Sequence, residues 1–299
     1  MLLTLTSNIY SQSVKKIVID EKESVSSYYL AVEPETDSIA GVLIMLAGFG
    51  QRAESVFPDT KLHNVTYVNS ILTIGFSVGN KLYVDSITQY NLTAVIKHVL
   101  SKYKVSPQKF VLSGFSSGGT IALRYVELCN QFPGKFPIQP KGVFMVDSPI
   151  DIFTVYDLLE QISKDNYPNN LGEEWVLKIV RNDHGVPREN IPGYSKLTAF
   201  SMNKKYGENE IYLKNTAVRA YHDVDISWKI VHDNQTVRNA NFEVTAELIA
   251  RLIRMGNKKA EFIQSFDTGY RSIGQKNPHC WSIVDEVECI QWMKDLINN

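Results

Sequence analysis

Cysteine is scarce: Cys129, Cys280 and Cys289 are the three in 299 residues. An odd, widely spaced set makes no stapling framework, so the three read as small buried side chains. An excess of one charge is also missing. Thirty-one basic against 32 acidic residues leave a net charge of -1, without the positive surplus that a phosphate backbone demands, and no nucleic-acid partner is expected. No window approaches the roughly 20 apolar residues of a membrane span, residues 40–50 being only of strand length. Residues 1–13 carry Leu2, Leu3 and Leu5 but no positive charge before Lys15, which is not a complete signal peptide although it matches the tail of one. The expectation is cytoplasmic residence as the sequence begins, and secretion if the true start lies upstream. Internal repeats, low-complexity tracts and Pro/Gly-rich linkers are absent too.

What is present is core material. Hydrophobic residues make up 44%, aromatics 11% and charged residues 21%, which excludes a disordered chain, a collagen and a coiled coil. Residues 14–20 and 26–32 have the β-branched and tyrosine content of strands around the charged turn Glu21-Lys22-Glu23, predicting an antiparallel pair. Residues 40–47 form a continuous apolar run that suits a strand covered on both faces, and similar runs return at 71–76, 110–112 and 142–146. Between them Leu92, Val95, Ile96, Val99, Leu100 and Tyr103 share one helical face, and 121–129 is apolar almost all round. Strand alternating with helix predicts an α/β fold with a mostly parallel sheet wrapped by helices. The alternation breaks over 151–213, where two helical stripes predict a largely helical cap, and resumes with strands at 217–221 and 260–265 and helices at 244–255 and 282–297. The expected division is a core of 14–150 and 214–299, an inserted cap of 151–213 and an N-terminal extension of 1–13.

The sharpest motif follows the run at 110–112. Gly114-Phe115-Ser116-Ser117-Gly118 is a G-x-S-x-G pattern between a strand and a helix. Side chains at Gly114 and Gly118 would collide with the backbone of so sharp a turn, while Ser116 is thrust above the sheet edge. The competing reading is a glycine-rich turn whose serine caps the helix. That reading does not explain a glycine on each side.

In these residues the sequence resembles the α/β-hydrolase family, from about residue 14 to the end. The resemblance implies a triad in the chain order serine, acid, histidine, with the acid past the next-to-last strand and the histidine past the last. His279, in Asn277-Pro278-His279, takes the histidine position better than His63, His98, His184 or His232. For the acid, Tyr221-His222-Asp223-Val224-Asp225 aligns Asp225 with the family's acid. Asp223 is the first alternative, and Asp147 or Asp151, after the preceding strand, are the others. His222 stands where the family has glycine. A metal cluster of His222, Asp223 and Asp225 lacks a further ligand at recognisable spacing.

The resemblance further implies an oxyanion hole from two backbone N–H groups, that of Ser117 and that of Phe49, with Gly50 in reserve. The implied function is a serine hydrolase acting on a small-molecule carboxylic ester, with no cofactor and an acyl-enzyme formed on Ser116. Amide, peptide or thioester cleavage and acyl transfer use the same triad. A non-catalytic scaffold is the reading from another class. The cap aromatics Phe153, Tyr156, Tyr167, Trp175, Tyr194 and Phe200 are read mainly as cap core and secondarily as a substrate pocket. The sequence is silent on oligomeric state.

Overall fold

Apolar runs too short for helices become the strands of one sheet. In the computed structural model residues 12–20, 26–164, 171–233, 237 and 240–298 are described. The turn at Glu21-Lys22-Glu23, residues 1–11 of the N-terminal extension and Tyr167 lie outside them. The strands are β1 (Val14–Val18), β2 (Tyr28–Val32), β3 (Gly41–Leu46), β4 (Ile71–Phe76), β5 (Phe110–Phe115), β6 (Gly142–Val146), β7 (Ala217–Asp223) and β8 (Ala260–Ser265). They form an eight-stranded sheet in the order β1-β2-β4-β3-β5-β6-β7-β8. The β1–β2 and β2–β4 pairs are antiparallel and the remaining five are parallel. Every residue of β3, β4, β5 and β6 is buried, as strands covered on both faces require.

The helices of the core are α1 (Leu62–Val68), α2 (Ser86–Tyr103) and α3 (Ser117–Gln131), then α7 (Ile226–Asp233), α8 (Asn241–Arg254) and α9 (Glu286–Asn298). Leu92, Val95 and Ile96 of α2, Ile121, Leu123 and Val126 of α3, and Leu248 and Leu252 of α8 pack on one face of the sheet. Leu62 of α1 and Ile290, Met293 and Ile297 of α9 cover the other. Helix α3 is buried almost all round, which explains why its sequence shows no polar stripe. Each fully buried aliphatic side chain of this kind contributes roughly 1.5–3 kcal/mol.

Between β6 and β7 lie α4 (Ile152–Lys164), α5 (Leu171–His184) and α6 (Ile191–Leu197). Phe153, Tyr156, Leu159, Leu177, Val180 and Tyr194 bury one another there, together with Leu82 and Tyr83 of the core. Two polar ties fix this insertion. The Asp151 carboxylate accepts from the backbone N–H groups of Phe153 at 3.0 Å and Met202 at 2.8 Å, and Lys81 pairs with Asp183 of α5 at 2.7 Å. Among the cap aromatics, Phe153, Tyr156, Tyr194 and Phe200 are buried while Trp175 is 48% exposed. The three cysteines are free and buried. Among the described residues no helix is long and apolar enough to cross a membrane.

The structure adds α1, α6 and α7 to the expected helices. At seven, seven and eight residues they are too short to show a period against their surroundings. It also extends β7 to Asp223, so this aspartate belongs to the ladder rather than to the loop beyond it.

Candidate active site

The turn between β5 and α3 has the geometry its glycines predict. A Cβ at Gly114 would stand 2.1 Å from the Gly118 carbonyl carbon, and one at Gly118 would stand 2.4 Å from the Leu46 carbonyl oxygen. No real Cβ survives either approach. Ser116 is held at φ 54° and ψ -127°, a sparsely populated conformation that costs about 1–3 kcal/mol. Two hydrogen bonds hold it there: Ser116 N–H donates to the Val146 carbonyl at 2.9 Å, and Gly119 N–H to the Ser116 carbonyl at 3.0 Å. The Ser116 side chain makes no capping bond to α3, so the helix-cap reading fails. Its hydroxyl borders a cavity of about 640 Å³ that His279, Asp147 and Phe49 also line.

His279 stands on the irregular segment after β8. Its backbone N–H donates to Asn277 Oδ1 at 2.8 Å, and its ring packs on Phe115 with centroids 4.5 Å apart. Nδ1 lies 2.6 Å from Oδ2 of Asp147, the residue that directly follows β6. Asp147 itself has φ 43°, and its N–H donates to the Tyr221 carbonyl at 3.0 Å. Burial pushes its carboxyl up, but the facing His279 and the hydrogen bond from His222 outweigh this and hold it well below the ordinary carboxylate range. With Nδ1 engaged, Nε2 is the nitrogen left to His279, and neither it nor the Ser116 hydroxyl has a hydrogen-bond partner among the described residues.

The expected acid, Asp225, is not the partner of His279. Oδ2 of Asp225 accepts from Lys276 Nζ at 2.6 Å and Oδ1 from the Trp228 N–H at 2.9 Å. It caps α7 and ties down the segment that carries His279. The Lys276 hydrogen bond and the Trp228 N–H lower its carboxyl. Asp223, the first alternative, is also turned away: its Oδ2 accepts from the N–H groups of Thr268 at 2.9 Å and Gly269 at 2.7 Å. Asp151 is engaged with the start of α4. Physically, β7 runs two residues further than its apolar content suggests, and both aspartates meet the loop coming off β8 before they can reach the imidazole.

Phe49 and Ser117 are the expected oxyanion donors. Among the described residues the N–H groups of Phe49 and Ser117 have no acceptor, and Ser117 opens α3, where the helix dipole favours negative charge. Gly50, the reserve, is excluded because its N–H donates to the Gly79 carbonyl at 3.1 Å. The turn is braced by Gln51, whose Oε1 accepts from the Gly48 N–H at 3.0 Å. This bracing residue was missed, and a polar residue three positions past a strand-end glycine is the signal for it.

No metal cluster forms from His222, Asp223 and Asp225. His222 Nδ1 faces Asp147 at 3.1 Å, and the two aspartates are committed as above. Among the described residues, possible ligand atoms converge at Asp85, Asp183 and His184. Lys81 Nζ already lies 2.9 Å from Asp85 and 2.7 Å from Asp183, an ammonium where a cation would sit.

The cavity has two kinds of wall. Leu158, Leu159, Ile162, Trp175 and Val176 make the insertion side mainly apolar, with Glu173 among them, and the core side mixes Asp223, Asn241 and Asn277 with Trp228 and Phe242. Phe49 meets the Trp175 ring edge-on at 5.5 Å, joining core and insertion at the cavity's wall.

No family model matches the sequence, and no curated protein matches it. Solved structures do match the fold. An esterase/lipase from an uncultured bacterium is similar at a TM-score of 0.58 and 11% identity, over 96% of this chain and 86% of that one. FphF, a fluorophosphonate-binding serine hydrolase of Staphylococcus aureus, is similar at 0.53 and 13%, over 95% and 98%. A bifunctional GH43-CE protein of Bacteroides eggerthii is similar at 0.60 and 15%, over 94% of this chain and 37% of that one. At such identities the likeness speaks for architecture alone, and with the sheet order and the strained serine turn it establishes that the chain has the α/β-hydrolase fold.

Proposed function

We propose that the protein is a serine hydrolase that cleaves a small carboxylic ester through an acyl-enzyme on Ser116. The observation that carries this reading is a strained serine whose hydroxyl has no partner among the described residues, in one cavity with a histidine whose Nδ1 is held 2.6 Å from a carboxylate. Asp147 replaces Asp225 as the acid of the triad.

The chemistry follows from those positions. Ser116 Oγ attacks the ester carbonyl carbon and its proton passes to Nε2 of His279. The N–H groups of Phe49 and Ser117 receive the oxyanion, while Asp147 orients the ring and balances the imidazolium. His279 returns the proton to the departing alkoxide. Water then attacks the acyl-enzyme, losing a proton to His279, and the Ser116 Oγ–acyl bond breaks as His279 returns that proton to Oγ, releasing the acid. A cavity of about 640 Å³ with an apolar side accommodates an acyl or aryl group on the insertion side. The esterase and serine-hydrolase names of the structural neighbours support the same class.

A panel of short and long p-nitrophenyl esters beside aminoacyl p-nitroanilides tests the reading on wild type, Ser116→Ala and His279→Ala. Ester turnover lost in both variants is expected. Preference for anilides would move the assignment to a peptidase. No turnover, with no fluorophosphonate labelling of Ser116, would leave a non-catalytic binding protein.

A further inference from the structure

Asp147 has two carboxylate oxygens, and the proposed reaction engages one. The other, Oδ1, lies 3.1 Å from Nδ1 of His222. His222 is in β7, is 1% exposed and does not border the cavity. Its ring stacks on Phe262 of β8 with centroids 5.3 Å apart and planes 11° from parallel. Nε2 lies 2.6 Å from Thr245 Oγ1 on α8. Both ring nitrogens and one ring face are therefore committed inside the core.

We infer that His222 is a positioning residue, whose Nδ1–H holds Oδ1 of Asp147 so that Oδ2 presents a fixed lone pair to His279. The inference rests on the reading of Ser116, His279 and Asp147 given above. The terminal torsion of an aspartate is broad, and one hydrogen bond at Oδ2 leaves the carboxylate plane free to rock. A second donor on the opposite oxygen fixes the plane. An ionised carboxylate only accepts, so the proton of this contact resides on His222 Nδ1, while Nε2 faces Thr245 Oγ1, whose single proton is shared between it and the Asn241 carbonyl at 2.8 Å. Asn241 Nδ2 meanwhile donates to the Asp147 carbonyl at 3.2 Å. The first turns of α8 thus grip the backbone of Asp147 directly and its side chain through His222.

The titratable groups facing the Asp147 carboxylate are His279, from the segment after β8, and His222, from β7. Asp223, Asp225, Glu173 and Lys229 border the same cavity, Lys276 pairs with Asp225, and Arg271 lies over the Phe115 ring on which His279 packs. A substitution at His222 leaves all of these in place.

Two variants divide the functions of the ring. In His222→Asn the amide nitrogen stands where Nδ1 was, keeping a donor for Asp147 and losing Thr245; in His222→Gln the amide reaches the Nε2 place and does the reverse. On a p-nitrophenyl ester, kcat of His222→Asn is expected within about threefold of wild type and that of His222→Gln reduced about 10- to 100-fold. KM should be unchanged in both, since His222 does not touch the cavity. The acid limb of kcat/KM in His222→Gln should move to higher pH, because a carboxylate that has lost a donor holds the His279 imidazolium more strongly.

Equal losses in the two variants, with the acid limb unmoved, would reduce His222 to core packing and overturn the inference. Nitrogen-15 NMR of the wild-type protein gives a readout that does not depend on the variants folding: Nδ1 of His222 should carry a proton, and an unprotonated Nδ1 overturns the inference. If wild type neither turns over esters nor is labelled at Ser116 by a fluorophosphonate, the hydrolase reading fails and this inference with it. An active wild type with indistinguishable variants sinks the inference alone.

Discussion

Neighbouring strands of the sheet run out into aspartates, Asp147 directly after β6 and Asp223 at the end of β7 with Asp225 just beyond, and the two ends do different things. Asp147 turns toward the imidazole, and its two oxygens face ring nitrogens of two histidines. Asp223 and Asp225 turn toward the chain that carries the imidazole: one takes the N–H groups of Thr268 and Gly269, the other the ammonium of Lys276. Both ends therefore serve His279, one by meeting its ring and the other by fixing its backbone. A carboxylate's role follows from which donor reaches it first, and strand order alone does not decide that.

Substitutions along the two ends can break or sharpen this contrast. The largest effect is expected at Asp147, where Asn keeps the shape and removes the charge: kcat on esters should fall by about 10³- to 10⁴-fold, as for the acid of other triads. If Asp225→Asn cost more than Asp147→Asn in the same assay, the assignment of the two ends would be reversed. Next comes Asp223→Ala, which frees the Thr268 and Gly269 N–H groups and loosens the segment before His279. A loss of about 10- to 100-fold in kcat/KM is expected, and an unchanged value would show the segment to be held elsewhere. Asp225→Ala should cost under about 10-fold in activity, while loss of the α7 cap lowers Tm by about 2–4 °C in a thermal melt.

The smallest effect is one of acid stability. Because the Asp147 carboxyl is held below its ordinary range, the folded state binds this proton less readily than the unfolded chain. The stabilisation is then fully present above the unfolded value of about 4 and is lost as pH falls through the lower folded value. Urea unfolding should show the margin of wild type over Asp147→Asn shrinking as pH falls below about 4. A margin that grew as pH fell below that value would contradict the sign.

Ser116 and His279 were legible because local constraints mark them. The serine needs glycine on both sides whatever surrounds it, and the histidine is the one that falls between the last strand and the closing helix. The strands read well for a related reason: runs buried on both faces, such as Gly142–Val146, have no polar residue to blur them. Asp147 stood in plain sight after that run, but aspartate there and aspartate after β7 look alike in one dimension. The informative sign was His222, where the implied turn called for glycine. A residue that extends β7 and fills the space beside Asp147 was visible as a departure, and its meaning depended on contacts with α8 that no local pattern encodes.

The Ser116 N–H bond to the Val146 carbonyl links the turn after β5 to the strand that ends one residue before Asp147, and Phe115 is in register with Val146 across the same ladder. Ser116 and Asp147 are thus mounted on neighbouring strands of one ladder, with a spacing set by strand separation. Of the three proposed groups His279 alone stands on an irregular segment, residues 266–280, clamped by Asp223 and Asp225 rather than by the ladder. Tuning of such a site falls on the clamp: lengthening or stiffening that one segment would alter the reach of the imidazole while the other two groups kept their distance.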